Sequence, residues 1–197
     1  MIYILLAALI AALDQWFKSY LVAHAAALEG TRILPGLLGL TFVRNTGASW
    51  GMLAGKTDLL LLVTGVVCAA VFVALLADRP VSRLGRLALG MVLGGAVGNA
   101  VDRLLHGYVV DMFQTLFMDF PIFNIADCFI TVGGGLFCLY IILEELEERR
   151  RKARQRDARL RRLIRESEEL KAEELSVDEI LLEFTEEPDD TGTDRRD

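Results

Sequence analysis

Four long apolar stretches before residue 144 most limit what this chain can fold into. They run over residues 2–27, 59–76, 84–105 and 122–143. Each is close to the roughly 20 residues that a helix needs to cross the hydrocarbon core of a bilayer. Backbone polar groups find no water there, so each stretch must pair its own N–H and C=O groups as a helix. The sequence therefore predicts an all-α integral membrane protein with four transmembrane helices.

The segment between the first two stretches has a different pattern. Pro35 and Gly36 are followed by β-branched and aromatic residues up to Arg44. Such a pattern is typical of a turn and short strands. We expect a small extracytoplasmic β-element here.

Loop charges predict the orientation in the membrane. Arg79, Arg83 and Arg86 lie between the second and third stretches, and the run Arg149 to Lys152 follows the fourth. Lys and Arg in short loops favour the cytoplasmic side. Both termini are therefore predicted to be cytoplasmic, with the loops over residues 44–56 and 107–121 on the outer side.

The composition becomes strongly charged after Leu143. Residues 144–197 carry nineteen acids and thirteen bases, so they account for the whole formal net charge of −6. We expect a membrane domain over residues 1–146 and a cytoplasmic tail over 147–197 that is helical first and then disordered. The simplest interpretation of its basic run is a solvated helix, and contact with an anionic leaflet is the alternative.

Glycines recur where helices could approach closely. Gly90, Gly94 and Gly98 follow each other at every fourth position of the third stretch. This spacing lets two transmembrane helices pack tightly. The run 133–135 in the fourth stretch is expected to serve the same purpose.

Asp111 and Asp127 lie in hydrophobic surroundings where packing has no need of a carboxylate. A charge at the bilayer centre costs about 2.5 to 3.5 kcal/mol, so intramembrane acids are candidates for function. Ionising two neighbouring carboxyl groups brings two negative charges together, which is unfavourable. One group therefore keeps its proton while the other acts as a base. That arrangement favours acid–base chemistry such as peptide hydrolysis.

Further polar residues occur in pairs with helical spacing. Asp14 and Lys18 are four residues apart, and Asn99 and Asp102 are three apart, as are Asn124 and Asp127. Each pair is expected to share one helix face. They either join one polar cluster inside the bundle or only lock the helices together.

Other chemistries have weaker signals. Ser49 lies in a formal GxSxG match, but neither histidine has a triad context. The chain has no HExxH, P-loop or dinucleotide fingerprint, so we expect no metal or other cofactor and no nucleic acid partner. An alternative function is a small ion- or proton-coupled transporter with the aspartates as a relay.

The polar residues fall in five ordered blocks, which are the segments DQWFK at 14–18, NTGASWG at 45–51, GNAVDR at 98–103, VVD at 109–111 and FNIAD at 123–127. In this order they resemble the lipoprotein signal peptidase family, also called signal peptidase II. The resemblance extends over residues 1–143 and implies a four-helix aspartyl endopeptidase of the bacterial inner membrane. In that family the catalytic pair occupies the positions of Asp111 and Asp127.

The resemblance also implies the substrate and the supporting residues. The substrate would be a prolipoprotein carrying a diacylglyceryl group, cut just before the lipidated cysteine. Membrane lipids would be further partners, and a monomer would suffice. Supporting or substrate-binding positions are implied at Asp14, Lys18, Asn45, Gly47, Asn99, Asp102, Arg103 and Asn124.

Overall fold

The computed structural model describes residues 1–48, 52–77 and 81–185. Ser49 and Arg79 lie outside these residues. The elements, in chain order, are α1 (Ile2–Ala23), α2 (Ala25–Leu28), β1 (Arg32–Leu34), β2 (Leu38–Asn45), α3 (Thr57–Leu76), α4 (Arg83–His106), β3 (Val109–Thr115) and α5 (Ile125–Thr185).

The four predicted membrane helices are confirmed as α1, α3, α4 and the first part of α5. The span of α3 has a mean hydropathy of 3.0 and is only 6% buried, and most of its side chains are exposed. The span of α4 is 50% buried, the largest share of the four, which makes it the central helix. The first helix ends at Ala23, earlier than predicted, and the short α2 follows it.

Glycines let the neighbouring helices approach α4 closely. A Cβ added at Gly94 would lie 2.7 Å from the backbone oxygen of Ala7, in α1. At Gly95 it would lie 2.5 Å from the backbone oxygen of Ala126, in α5. The backbones of α1 and α5 are therefore in direct contact with α4, and no side chain fits between them.

The prediction for the triple glycine of α5 holds at only one position. A Cβ at Gly133 would lie 2.9 Å from the Ala88 backbone oxygen, so this glycine packs against α4. Nothing lies within 4 Å of a Cβ at Gly134 or Gly135, and the prediction was wrong for them. Consecutive helical residues point in directions about 100° apart, so one tight contact accommodates only one of the three.

The strands form one antiparallel sheet in the order β1-β2-β3. The predicted β-element is confirmed as β1 and β2, whereas β3 was not predicted. The sheet packs near the C-terminal end of α1 through a buried cluster of Leu21, Leu40, Val110 and Met112. The register pairs Val43 of β2 with Asp111 of β3.

The chain divides into two compact units, Met1–Leu143 and Glu144–Asp197. In the second unit the side chains of residues 144–171 are exposed. The part predicted to be disordered includes residues 186–197, which lie outside the described residues.

We expect Gly94→Ala to lower the free energy of unfolding by about 1 to 3 kcal/mol, because the new methyl group would overpack the contact between α4 and α1. The matched control is Gly134→Ala, which adds the same methyl group in open space. Thermal unfolding of both variants in detergent measures the difference. Equal unfolding temperatures for the two variants would contradict the close packing of α1 on α4.

Candidate active site

The end of α4 positions Asp111. Gly107 follows the helix with a φ of 78°, a left-handed conformation that favours glycine and ends helices. The chain then turns into β3, where Asp111 is only 2% exposed. The strand that carries Asp111 was missed from the sequence because it is short and precedes a loop.

Asp127 lies in the first turn of α5 and forms a reciprocal cap with Asn124. The Asn124 backbone N–H donates to Asp127 Oδ2 at 3.1 Å, and the Asp127 backbone N–H donates to Asn124 Oδ1 at 2.9 Å. This is the geometry of a capping box, and the helix N-terminus favours a negative charge there. Asn124 precedes the helix, so the prediction that the pair shares one helix face was wrong.

Asn124 also joins the two predicted catalytic residues. Its side-chain Nδ2 donates to Asp111 Oδ1 at 2.7 Å, while its backbone holds Asp127. The Asn124 side chain is fully buried. One amide residue therefore fixes the relative position of both carboxyl groups.

Two further asparagines complete the contacts of this pair. Asn99 Nδ2 donates to Asp127 Oδ1 at 2.8 Å, and Asn45 Nδ2 donates to Asp111 Oδ2 at 2.9 Å. Asn45 Oδ1 accepts from the Gly47 backbone N–H, also at 2.9 Å. Each carboxyl group is thus held through both of its oxygens.

The Lys18 ammonium lies among three acceptors. It is 2.8 Å from Asp14 Oδ2 and 2.9 Å from Asp102 Oδ2, and it donates to Asn99 Oδ1 at 3.0 Å. An ammonium group has three N–H donors, so all three are used. Because Asn99 Oδ1 accepts from Lys18, its Nδ2 points towards Asp127.

The two acids of this buried cluster also hold backbone groups. Asp14 Oδ1 accepts from the Ala126 N–H at 2.9 Å, and Asp102 Oδ2 accepts from the Val110 N–H at 3.0 Å. Each of these backbone groups directly precedes a predicted catalytic aspartate. The cluster therefore positions both β3 and the start of α5.

Gln15 is a member of the cluster that was not predicted. Its Nε2 donates to Asp102 Oδ1 at 2.8 Å and to the Gly98 backbone oxygen at 3.0 Å. A half-buried amide in an apolar helix was the available signal. It was overlooked because Asp14 and Lys18 carry the charges in that segment.

Arg103 connects α4 to the segment that follows β2. Its Nη2 donates to the Gly47 backbone oxygen at 2.9 Å. A Cβ at Gly47 would lie 2.7 Å from the Met52 backbone oxygen, so only glycine fits this turn. Arg103 Nε is buried and has no hydrogen-bond partner among the described residues.

All ten predicted site residues thus join one hydrogen-bonded network.

Within this network, burial raises the pKa of Asp111 from its ordinary 3.8 to about 6. Hydrogen bonds from Asn45 and Asn124 oppose the rise, and the neighbouring charge of Asp127 adds to it. Asp111 therefore keeps a proton to higher pH than an ordinary aspartate. Asp127 is only half-buried, on the more open side of the pair.

Curated relatives match most of the chain. The lipoprotein signal peptidase of Enterococcus faecalis is 42% identical over 144 residues, which cover 73% of this chain and 89% of the relative. That of Shouchella clausii is 43% identical over 146 residues, covering 74% and 96%.

Solved structures and a family model agree with these relatives. One structure, described as a bacterial membrane enzyme, has a TM-score of 0.63 and 34% identity, covering 74% of this chain and 88% of that one. Another with the same description has a TM-score of 0.64 and 33% identity, covering 71% and 91%. The family model described as "Signal peptidase (SPase) II" matches residues 6–143. The chain therefore belongs to the signal peptidase II family.

Proposed function

We propose that this protein is a membrane aspartyl endopeptidase that removes the signal peptide from prolipoproteins. Family membership and relatives named lipoprotein signal peptidase support the substrate class. The proposed substrate carries a diacylglyceryl group on its lipobox cysteine, and the bond cut is the one just before that cysteine.

The observation that carries the aspartyl assignment is the bridge through Asn124. The Asn124 side chain donates a hydrogen bond to Asp111, and the Asn124 backbone N–H donates one to Asp127. Two carboxyl groups joined in this way, one of them with a raised pKa, form an acid and base pair. The other two acids of the network, Asp14 and Asp102, are completely buried and pair with Lys18.

In the proposed mechanism Asp127 is the general base. Its two hydrogen-bond partners, Asn99 Nδ2 and the Asn124 N–H, are donors that stabilise a carboxylate. Asp127 removes a proton from a water molecule, and the oxygen of that water attacks the carbonyl carbon of the scissile bond. Asp111 donates its proton to the carbonyl oxygen. The tetrahedral intermediate then collapses: the C–N bond breaks, the amine leaves with the proton that Asp127 had taken, and one hydroxyl of the intermediate returns a proton to Asp111 as the new carboxyl group forms.

The substrate's lipid is proposed to stay in the bilayer and set the depth of the scissile bond. The sheet and the segment after Asn45 would cover the bond from outside and exclude bulk water. Arg103 supports this arrangement because it fixes the segment at Gly47.

The protein is proposed to reside in the bacterial inner membrane with both termini in the cytoplasm. Arg83, Arg86 and the basic run from Arg149 support this orientation, which puts the catalytic pair near the extracytoplasmic face. Residues 1–146 would form the catalytic domain and 147–197 a cytoplasmic tail. A monomer is sufficient, because one chain supplies the whole network.

The alternative of an ion or proton relay gains no support. The matched family and relatives are peptidases. Lys18 neutralises part of the charge of Asp14 and Asp102, which fits a structural role for those acids better than ion transport.

Replacing Asp111 or Asp127 with Asn should lower the cleavage rate at least about 100-fold, which is the contribution expected of general acid and base groups. The matched control is Asp119→Asn, since Asp119 is exposed and outside the network. A gel-shift assay with a diacylglyceryl-modified prolipoprotein measures the rates. Turnover near the wild-type level by either variant would exclude that residue from catalysis.

The value of kcat/KM should fall as the pH rises through about 6, the pKa of Asp111. The sign follows from its role as the acid: its protonated form is active, and that form is lost above the pKa. Asp119→Asn should leave this limb unchanged. A kcat/KM that stays constant from about pH 5 to about pH 8 would contradict the role of Asp111 as proton donor.

Lys18→Met should lower the free energy of unfolding by about 3 to 5 kcal/mol, because it leaves two buried carboxylates without their cation. The exposed Lys56→Met is the matched control. Thermal unfolding measures the loss. The cleavage rate per folded molecule should also fall, because Asn99 loses the contact that orients its amide. Unchanged unfolding would contradict a stabilising role for the ion pairs of Lys18.

A further inference from the structure

The end of the sheet opposite Asn45 carries a group of exposed apolar side chains, called here the apolar edge. They are Leu34 and Leu37, near the turn between β1 and β2, and Leu116, Phe117 and Met118, which follow β3. These five side chains are 40 to 63% exposed. The Leu116 backbone N–H donates to the Leu37 backbone oxygen at 2.9 Å, so the two segments form one surface. No step of the proposed reaction uses it.

Contacts with α1 set the depth of β3 along that helix. Near the start of the strand, the Val110 N–H donates to Asp102, whose carboxyl group also binds Lys18. Three residues later, the ring of Phe113 stacks on that of Phe17, with 5.9 Å between the ring centroids. Phe17 and Lys18 are consecutive in α1. The strand therefore runs across the axis of α1 and does not rise along it towards the end of the helix.

The loop after β3 returns to a similar depth. Phe113 and Phe123 exchange backbone hydrogen bonds of 2.8 and 3.1 Å. Three residues after Phe123, the Ala126 N–H donates to Asp14 in α1. The loop thus starts and ends beside residues 14–18, which are five to nine residues before Ala23, the end of α1. At 1.5 Å per residue, this is roughly 8 to 14 Å from the end of a membrane-spanning helix.

Two aromatic side chains mark a membrane surface at the same depth. Trp16 and Tyr20 of α1 are 63% and 45% exposed, and their ring centroids are 6.1 Å apart. Trp and Tyr are enriched where a bilayer meets water, because their rings are apolar while their N–H and O–H groups are polar. Trp16 directly precedes Phe17, the residue on which β3 rests. The boundary between headgroups and acyl chains therefore lies at the level of the sheet.

We propose that the apolar edge inserts into the membrane and that its partner is the acyl chains of the leaflet at this end of α1. The apolar edge continues the membrane-facing surface of α1 through the contact of Phe17 with Phe113. This leaflet is the outer one in the orientation proposed above. The name of the leaflet rests on that orientation, whereas the insertion itself does not.

The insertion is shallow, because the sheet has an open edge at β1. Unpaired backbone groups of a strand are not tolerated in hydrocarbon, so the backbone of β1 stays among the headgroups while the apolar side chains reach the acyl chains. Two charged residues beside the apolar edge, Arg32 and Asp119, are exposed and fit the same boundary.

Two other surroundings of the apolar edge are tested against lipid. In water, five neighbouring apolar side chains would form a patch of the kind that soluble surfaces avoid. A second copy of the chain could cover the edge with its own, which would close it to lipid and to water alike. Lipid is favoured because the contacts of β3 with α1 already hold the sheet at the depth of the membrane surface.

The test measures the surroundings of single spin labels in the full-length chain. Its three cysteines, Cys68, Cys128 and Cys138, are first replaced by alanine. This background is used only if its thermal unfolding matches that of the native chain. Cleavage activity is not needed for the measurement, so its failure would leave the proposed peptidase reaction untouched.

Four positions are labelled one at a time. Leu37→Cys and Phe117→Cys report on the two segments of the apolar edge. Val66→Cys is the lipid reference, since Val66 is 63% exposed near the middle of α3. Lys56→Cys is the water reference, since Lys56 is exposed just before that helix. In phosphatidylcholine vesicles, electron paramagnetic resonance measures the collisions of each label with oxygen, which concentrates among acyl chains, and with a water-soluble nickel chelate.

The ratio of oxygen collisions to nickel collisions at residues 37 and 117 should be at least about threefold higher than at residue 56 and approach that at residue 66. A ratio equal to that at residue 56 would place the apolar edge in water and overturn the proposal. Few collisions with either reagent would overturn it as well, because a protein surface would then cover the edge.

Discussion

The Lys18 ammonium, held by Asp14, Asp102 and Asn99, is the interaction on which the rest of the structure depends. A charge in the membrane interior is tolerated only when it is paired and hydrogen-bonded. The same acids that satisfy Lys18 accept the backbone N–H groups that precede the two predicted catalytic residues. The groups that neutralise the lysine therefore also set the geometry of the site.

The network gives two chemically equal carboxyl groups different surroundings. Asp111 is on a strand and almost completely buried, and burial raises its pKa to about 6. Asp127 is half-buried at a helix N-terminus, where backbone and side-chain donors favour a negative charge. Asn124 holds both at fixed positions, so the proposed difference in their roles follows from the fold around them.

The sequence was sufficient to predict the four membrane helices, because an apolar stretch of about 20 residues is most readily accommodated as a helix that crosses the bilayer. It also identified every polar residue of the network except Gln15. The strand β3 was missed because it pairs with β2, which is distant in sequence. The cap at Asn124 is a local contact with Asp127, and it was missed because both residues were expected to lie within the helix. The glycine pattern predicted that helices meet but not which of Gly133, Gly134 and Gly135 makes the contact, since that depends on how α5 is rotated.

The central claim is that Asp111 and Asp127 act as one catalytic unit. The most direct test compares cleavage by the two single Asn variants with cleavage by the double variant, with rates expressed per folded molecule. Residues that act as a unit are strongly non-additive. The account predicts that the double variant is no slower than the slower single variant. A loss in the double variant equal to the product of the two single losses would show that the carboxyl groups work independently.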